Sequence, residues 1–170
     1  NSWAEKLFPG ESVETSDQMK AAVAAINSSF MVVSGGPGTG KTTTVVKMLA
    51  LLLLHREDKL QVGLAAPTGK AAMRLSESIS KTIENLDLPQ DIKELIPATA
   101  VTLHRLLGVK KHSPQFRHNR ENPLPYDVVV VDEASMVDLA MMSKLVDALR
   151  PGGRLILLGD KDQLASIESG

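Results

Sequence analysis

The chain contains no cysteine among its 170 residues, which excludes disulfides and thiolate metal sites and fits a reducing compartment. It also lacks an excess of charge of either sign. With 19 Lys and Arg against 20 Asp and Glu the net charge is -1, so no global field draws it to nucleic acid, and any such binding needs a local patch. Long hydrophobic runs are missing too. The longest, Met48 to Leu54, is far shorter than the roughly 20 residues a membrane span requires, and no secretory signal opens the chain. A cytoplasmic protein with no membrane partner is the expectation. The sequence opens on Asn1, not Met, which reads as a processed or excised piece. Residues 1–15 show no period and read as a linker or the remnant of an upstream domain; the folded unit is expected over 16–170.

What is present is an ordinary globular composition, 43% hydrophobic and 23% charged, enough for one domain with a core. Apolar runs alternate with helical periods. Phe30–Ser34, Val62–Ala66, Val128–Val131 and Arg154–Leu158 read as buried strands. Ser16 to Ile26, Thr42 to His55, the stretch after Gly69, Pro89–Ile96, Thr102–Leu107 and Met136–Leu149 read as helices. Strands alternating with helices predict an α/β domain with a mainly parallel sheet flanked by helices, with ligand loops at the strand C-terminal ends. Residues 110–125 hold three prolines and almost no apolar period, which predicts an exposed, flexible loop.

Gly35 to Thr42 reads Gly-Gly-Pro-Gly-Thr-Gly-Lys-Thr and fits the phosphate-binding pattern G-x-x-x-x-G-K-S/T, with a strand before it and a helix behind. Its glycines let backbone N–H groups converge on phosphate oxygens, and the helix adds its positive end. Lys41 is the cation expected at the β- and γ-phosphates, and the Thr42 hydroxyl the expected Mg²⁺ ligand. Asp132 and Glu133 follow four valines; there a carboxylate can hold the Mg²⁺ shell and its neighbour can deprotonate the attacking water. Taken alone, the pair reads first as a cap of the following helix. Gln163, just past the last strand, carries an amide able to sense a γ-phosphate. Gln18 offers an amide suited to an adenine edge, or is an exposed helix glutamine.

Gln18, Gly35–Thr42, Ala66–Ala72, Thr102–Leu107, Asp132–Met136 and Gly159–Leu164 follow in the order of superfamily 1 helicase motifs. Their wording resembles most closely the RecD type, the alpha subunit of exonuclease V; conjugative relaxase helicases share much of it. The resemblance implies a P-loop NTPase (RecA-like) motor domain, the first of two, that hydrolyses ATP with Mg²⁺ and moves 5′ to 3′ on single-stranded DNA. It implies other subunits of an exonuclease V (RecBCD-like) complex as partners, in DNA repair and recombination. It further implies nucleotide binding by Gln18, Gly36, Pro37, Gly38, Thr39, Gly40, Lys41, Thr42 and Thr43, catalysis by Lys41, Glu133 and Gln163, and Mg²⁺ at Thr42 and Asp132. DNA contact falls to Pro67, Thr68, Gly69, Lys70, Thr102, His104 and Arg105.

Chemistry supports those DNA contacts independently, since Thr68, Thr102 and His104 offer donors and Lys70 and Arg105 charge. A solvated helix face is the plainer reading of the two cations. Arg105 to Arg120 contains five Arg and Lys and no acidic residue, a local basic patch suited to a nucleic-acid backbone, to a partner, or to solubility alone. Arginine-bearing motifs of a second motor domain do not follow within these residues, so the stretch alone is expected to hydrolyse ATP poorly. A nucleotide-dependent subunit-interaction module is the alternative from a different class. A small-molecule phosphotransferase is disfavoured by Glu133 and Gln163.

Overall fold

The computed structural model describes residues 30–34, 40–55 and 60–159. Five strands, β1 (Phe30–Ser34), β2 (Val62–Ala66), β3 (Val101–Thr102), β4 (Val128–Val131) and β5 (Arg154–Gly159), form one sheet in the order β1-β5-β4-β2-β3. Every pairing is parallel. Both faces must therefore be covered, and the strands say so in their residues: β2 and β4 are buried throughout, as near-continuous apolar runs require.

Strand order fixes where the helices go. The steps β1 to β2 and β2 to β3 run one way across the sheet, and the steps β3 to β4 and β4 to β5 run back. Right-handed crossovers then place α1 (Lys41–His55) and α2 (Gly69–Asn85) on one face, and α4 (Leu103–Leu107) and α5 (Leu139–Ala148) on the other. The core divides accordingly. Val128, Val130, Ile156 and Leu158 pack with Met48 and Leu49 of α1, Leu75 and Ile79 of α2 and Ile92 of α3 (Gln90–Leu95). Val129, Val131, Leu155 and Leu157 pack with Leu103 and Leu107 of α4 and Leu145 and Ala148 of α5. Alternate residues of one strand thus belong to different layers.

Local chemistry sets the boundaries. Thr68 and Thr102 each accept a hydrogen bond from the backbone N–H three residues on, at 3.2 Å, and so start α2 and α4. Asp138 does the same for α5, accepting from Met141 N at 2.7 Å. The continuous helix expected over Met136–Leu149 is accordingly two pieces: a 3₁₀ turn, Ala134–Met136, and α5, separated where Asp138 turns to capping. The short strand β3, paired Ala65↔Val101 and Ala66↔Thr102, is absent from the sequence reading; two residues carry no period. Gly108 ends α4 with φ 81°, a left-handed angle that suits glycine.

Residues 110–125 carry no helix and one isolated bridge, Val109↔Phe116. Arg117 N and His118 N donate back to Gly108 O and Leu107 O, and Leu124 N donates to Ala148 O at 2.8 Å. Leu124 is buried in the second core layer and Phe116 packs against it. Two anchoring side chains eight residues apart hold this segment, an arrangement that leaves no periodic trace.

Candidate nucleotide and nucleic-acid site

The described strand ends deliver the candidate residues to one edge of the sheet. Past β1 the chain reaches Gly40, whose φ of 80° belongs to the left-handed region that glycine adopts without cost. Its carbonyl opens α1, accepting from Thr44 N at 3.0 Å and from the buried Thr44 Oγ1 at 3.1 Å. Lys41, Thr42 and Thr43 are the first three residues of α1 and are half-buried, where the first-turn N–H groups and helix dipole favour an anion.

Asp132 and Glu133 leave the C-terminal end of β4, both half-buried. Register aligns Ser34 of β1 with Gly159 of β5 and Val131 of β4 with Leu157 of β5. The C-terminal ends of β1 and β4 therefore lie at nearly the same height, two strand spacings or about 10 Å apart, with the end of β5 between them. Asp132 N donates to Ala65 O at 3.0 Å, and Asp132 Oδ1 accepts from Glu133 N at 2.8 Å. Its Oδ2 has no hydrogen bond among the described residues, so one oxygen is fixed and the other is open to a cation. Glu133 sits at φ 54°, ψ 42°, a left-handed conformation uncommon for a non-glycine residue and characteristic of functional sites.

A Thr hydroxyl and a carboxylate oxygen fit Mg²⁺, a hard cation that uses one or two protein oxygens and otherwise phosphates and water. Among the described residues no cluster of three His, Cys, Asp or Glu forms a protein-only metal site. Gln18, Gly36, Pro37, Gly38, Thr39 and Gln163 lie outside the described residues.

On the far side of β4 are the candidate DNA contacts. Pro67, Thr68, Gly69 and Lys70 follow β2, and Thr102, His104 and Arg105 follow or end β3; adjacent strands bring the two sets together. Thr68, Gly69, Lys70, His104 and Arg105 are exposed, while Pro67 and Thr102 are half-buried. Each capping threonine uses its oxygen as an acceptor for the helix, which leaves the hydroxyl hydrogen to donate elsewhere. Sequence reasoning missed the residues beside them. Met136 and Met141 close a hollow of about 120 Å³ with Pro67 and His104. Met136 is 60% exposed, a large apolar side chain at the mouth of a polar site; its place in an apparent helical period concealed it. Among the described residues no helix is long and apolar enough to cross a membrane.

The family described as AAA domain matches residues 18–169. The chain is 52% identical over 171 residues to the RecBCD enzyme subunit RecD of Haemophilus influenzae, covering 98% of this chain and 27% of that one. It is 45% identical over 142 residues to the ATP-dependent RecD2 DNA helicase of Deinococcus radiodurans, covering 83% of this chain and 17% of that one. The chain thus spans about a quarter or less of these relatives. Among solved structures, one of two coordinating Pif1 helicases at forked double-stranded DNA superposes with a TM-score of 0.51 at 21% identity, over 91% of this chain and 37% of that one. The likeness read from six ordered motifs is borne out by the relatives, and the P-loop NTPase fold class by the parallel sheet and its structural neighbour.

Proposed function

We propose for this chain, which belongs to the AAA domain family, the role of ATP-hydrolysing motor domain in a RecD-type translocase that moves 5′ to 3′ on single-stranded DNA. The observation that carries the reading is the order of functional groups along one sheet edge. Nucleotide groups follow β1 and β4, DNA-facing groups follow β2 and β3, and the bond from Asp132 N to Ala65 O joins the two halves.

In this reading the first turn of α1 and Lys41 bind the phosphates of ATP, and Glu133 takes a proton from the attacking water. Thr42 and Asp132 hold Mg²⁺, which supplies charge neutralisation at the phosphates. Gln163 senses the γ-phosphate, and Gln18 reads the adenine. Thr68, Lys70, Thr102, His104 and Arg105 hold the strand, chiefly by its phosphates. The parent protein then works in the cytoplasm as a subunit of an exonuclease V (RecBCD-like) assembly in DNA repair and recombination, as the names of its relatives suggest.

Lys41→Ala and Glu133→Gln in the full-length protein test the reading. DNA-stimulated ATP hydrolysis should fall by at least about 10²-fold in each, the usual scale for removing a catalytic group, while single-strand binding by Glu133→Gln persists. Normal hydrolysis in both variants would reject the motor. Loss of partner assembly with hydrolysis intact would point to the interaction module.

A further inference from the structure

We propose that the cavity between the 115–121 turn and α5 is a nucleotide subsite, where one unpaired nucleotide of a bound single strand lays its base against Phe116 and its phosphate against Lys144 and Arg120. The proposal rests on the motor reading and names a place on the strand's path beyond the motif residues.

The cavity measures about 350 Å³, within the range of small-ligand sites, about 300–1,000 Å³. Its walls combine a flat apolar surface with cations. Two side chains pack on Phe116: the His104 ring meets it edge-on, 5.8 Å between centroids at 70°, and Lys144 Nζ stands 5.3 Å over the ring. His104 also lines the hollow beside Pro67, so one side chain touches both the candidate DNA edge and Phe116. Along α5, Met141 lines that hollow and Lys144, one turn on, lines the cavity. A strand held at Thr68 and Thr102 therefore meets the cavity next.

Two features speak to the chemistry of the occupant. Arg120 pairs with Asp147 at 2.9 Å, but the side chains are 83% and 47% exposed; so solvated a pair is weak and can exchange its carboxylate for a phosphate. His118 lines the cavity, and its Nδ1 is buried without a hydrogen-bond partner among the described residues, although buried polar atoms are normally satisfied. A base edge supplies donors and acceptors that a small turn of this ring could meet. Cations, an aromatic face and an unmet ring nitrogen together suit a nucleotide better than an acidic peptide, which answers only the charge.

The test is photocrosslinking of the full-length protein to a single-stranded oligonucleotide carrying 5-iododeoxyuridine, with adducts mapped by mass spectrometry and affinity read by anisotropy. Expected are an adduct within residues 115–121, an affinity about tenfold lower for Phe116→Ala with recovery in Phe116→Trp, and a salt dependence for Lys144→Glu shallower by about one ion. Lys144 is exposed, so that variant carries the test if Phe116→Ala does not fold. No adduct in 115–121, with full affinity and an unchanged salt slope in Lys144→Glu, overturns the subsite. If Thr68→Ala still weakens binding in that case, the motor reading stands; if the unaltered protein binds no single strand, both fall.

Discussion

Asp132 donates its backbone N–H to the carbonyl of Ala65 at 3.0 Å, and Ala65 stands three residues before Thr68. The first residue of the acidic pair and the cap of α2 are thus joined by one hydrogen bond and three covalently linked residues. In the proposed motor, a shift of the Asp132 backbone on gain or loss of the γ-phosphate would reach the candidate DNA edge through this bond.

Glu133 holds a left-handed backbone, φ 54°, at a cost on the order of 1–2 kcal/mol for a residue with a Cβ. Glycine relieves the strain but loses part of the gain through a freer unfolded chain. Glu133→Gly is therefore expected to melt about 1–4 °C higher and to lose hydrolysis, whereas Glu133→Gln loses hydrolysis with no such rise. Calorimetry on both variants decides; equal melting temperatures would remove strain from the account of this site.

Thr68 caps a 17-residue helix and Thr102 a helix of five. Thr68→Ala should cost about 1 kcal/mol in urea unfolding, and Thr68→Ser much less, because serine keeps the accepting oxygen. Serine also keeps the hydroxyl hydrogen proposed to meet a DNA phosphate. Single-strand affinity should then follow the same order, and an alanine variant with unimpaired affinity would leave Thr68 a purely structural cap.

Gly63 lies against the face of Tyr126, where an added Cβ would stand 2.9 Å from Cδ2 and 3.0 Å from Cγ. Gly63→Ala is expected to destabilise by about 1–3 kcal/mol, as overpacking does. Combined with Tyr126→Leu, the loss should be smaller than the sum of the single changes. Additive losses in a double-mutant cycle would mean that the ring is not what keeps this position small.

In the proposed motor, with a charge-stabilising arginine supplied from outside these residues as the RecD-type resemblance implies, the 170-residue chain by itself should hydrolyse ATP at least about 10³-fold more slowly than the full-length protein. Strand displacement by the isolated chain should be undetectable in a forked-duplex assay. Robust unwinding by these residues alone would contradict the need for that outside arginine.

Much of this was legible because two kinds of signal are local. Val62–Ala66 and Val128–Val131 match their strands residue for residue, since a strand buried on both faces is an unbroken apolar run with polar ends. The caps at Thr68 and Thr102 fall where the DNA-facing motifs were read. Other features depend on partners remote in sequence. Nothing near Asp132 reveals that β5 separates β4 from β1, because strand order is a property of crossovers. Phe116 looks like an isolated aromatic in a basic stretch until His104 and Lys144 close on it, and Asp138 looks like a polar position in a helix until its carboxylate takes Met141 N.

The unbroken parallel sheet acts as a ruler. From β1 to β3 is four strand spacings, about 19 Å, and ladder bonds at each step resist stretching of that interval. In the proposed motor, fuel chemistry at one end and grip at the other would be held at a fixed separation. Motion along DNA would then have to come from the whole body turning against something outside the sheet, with small changes at strand tips setting when it turns.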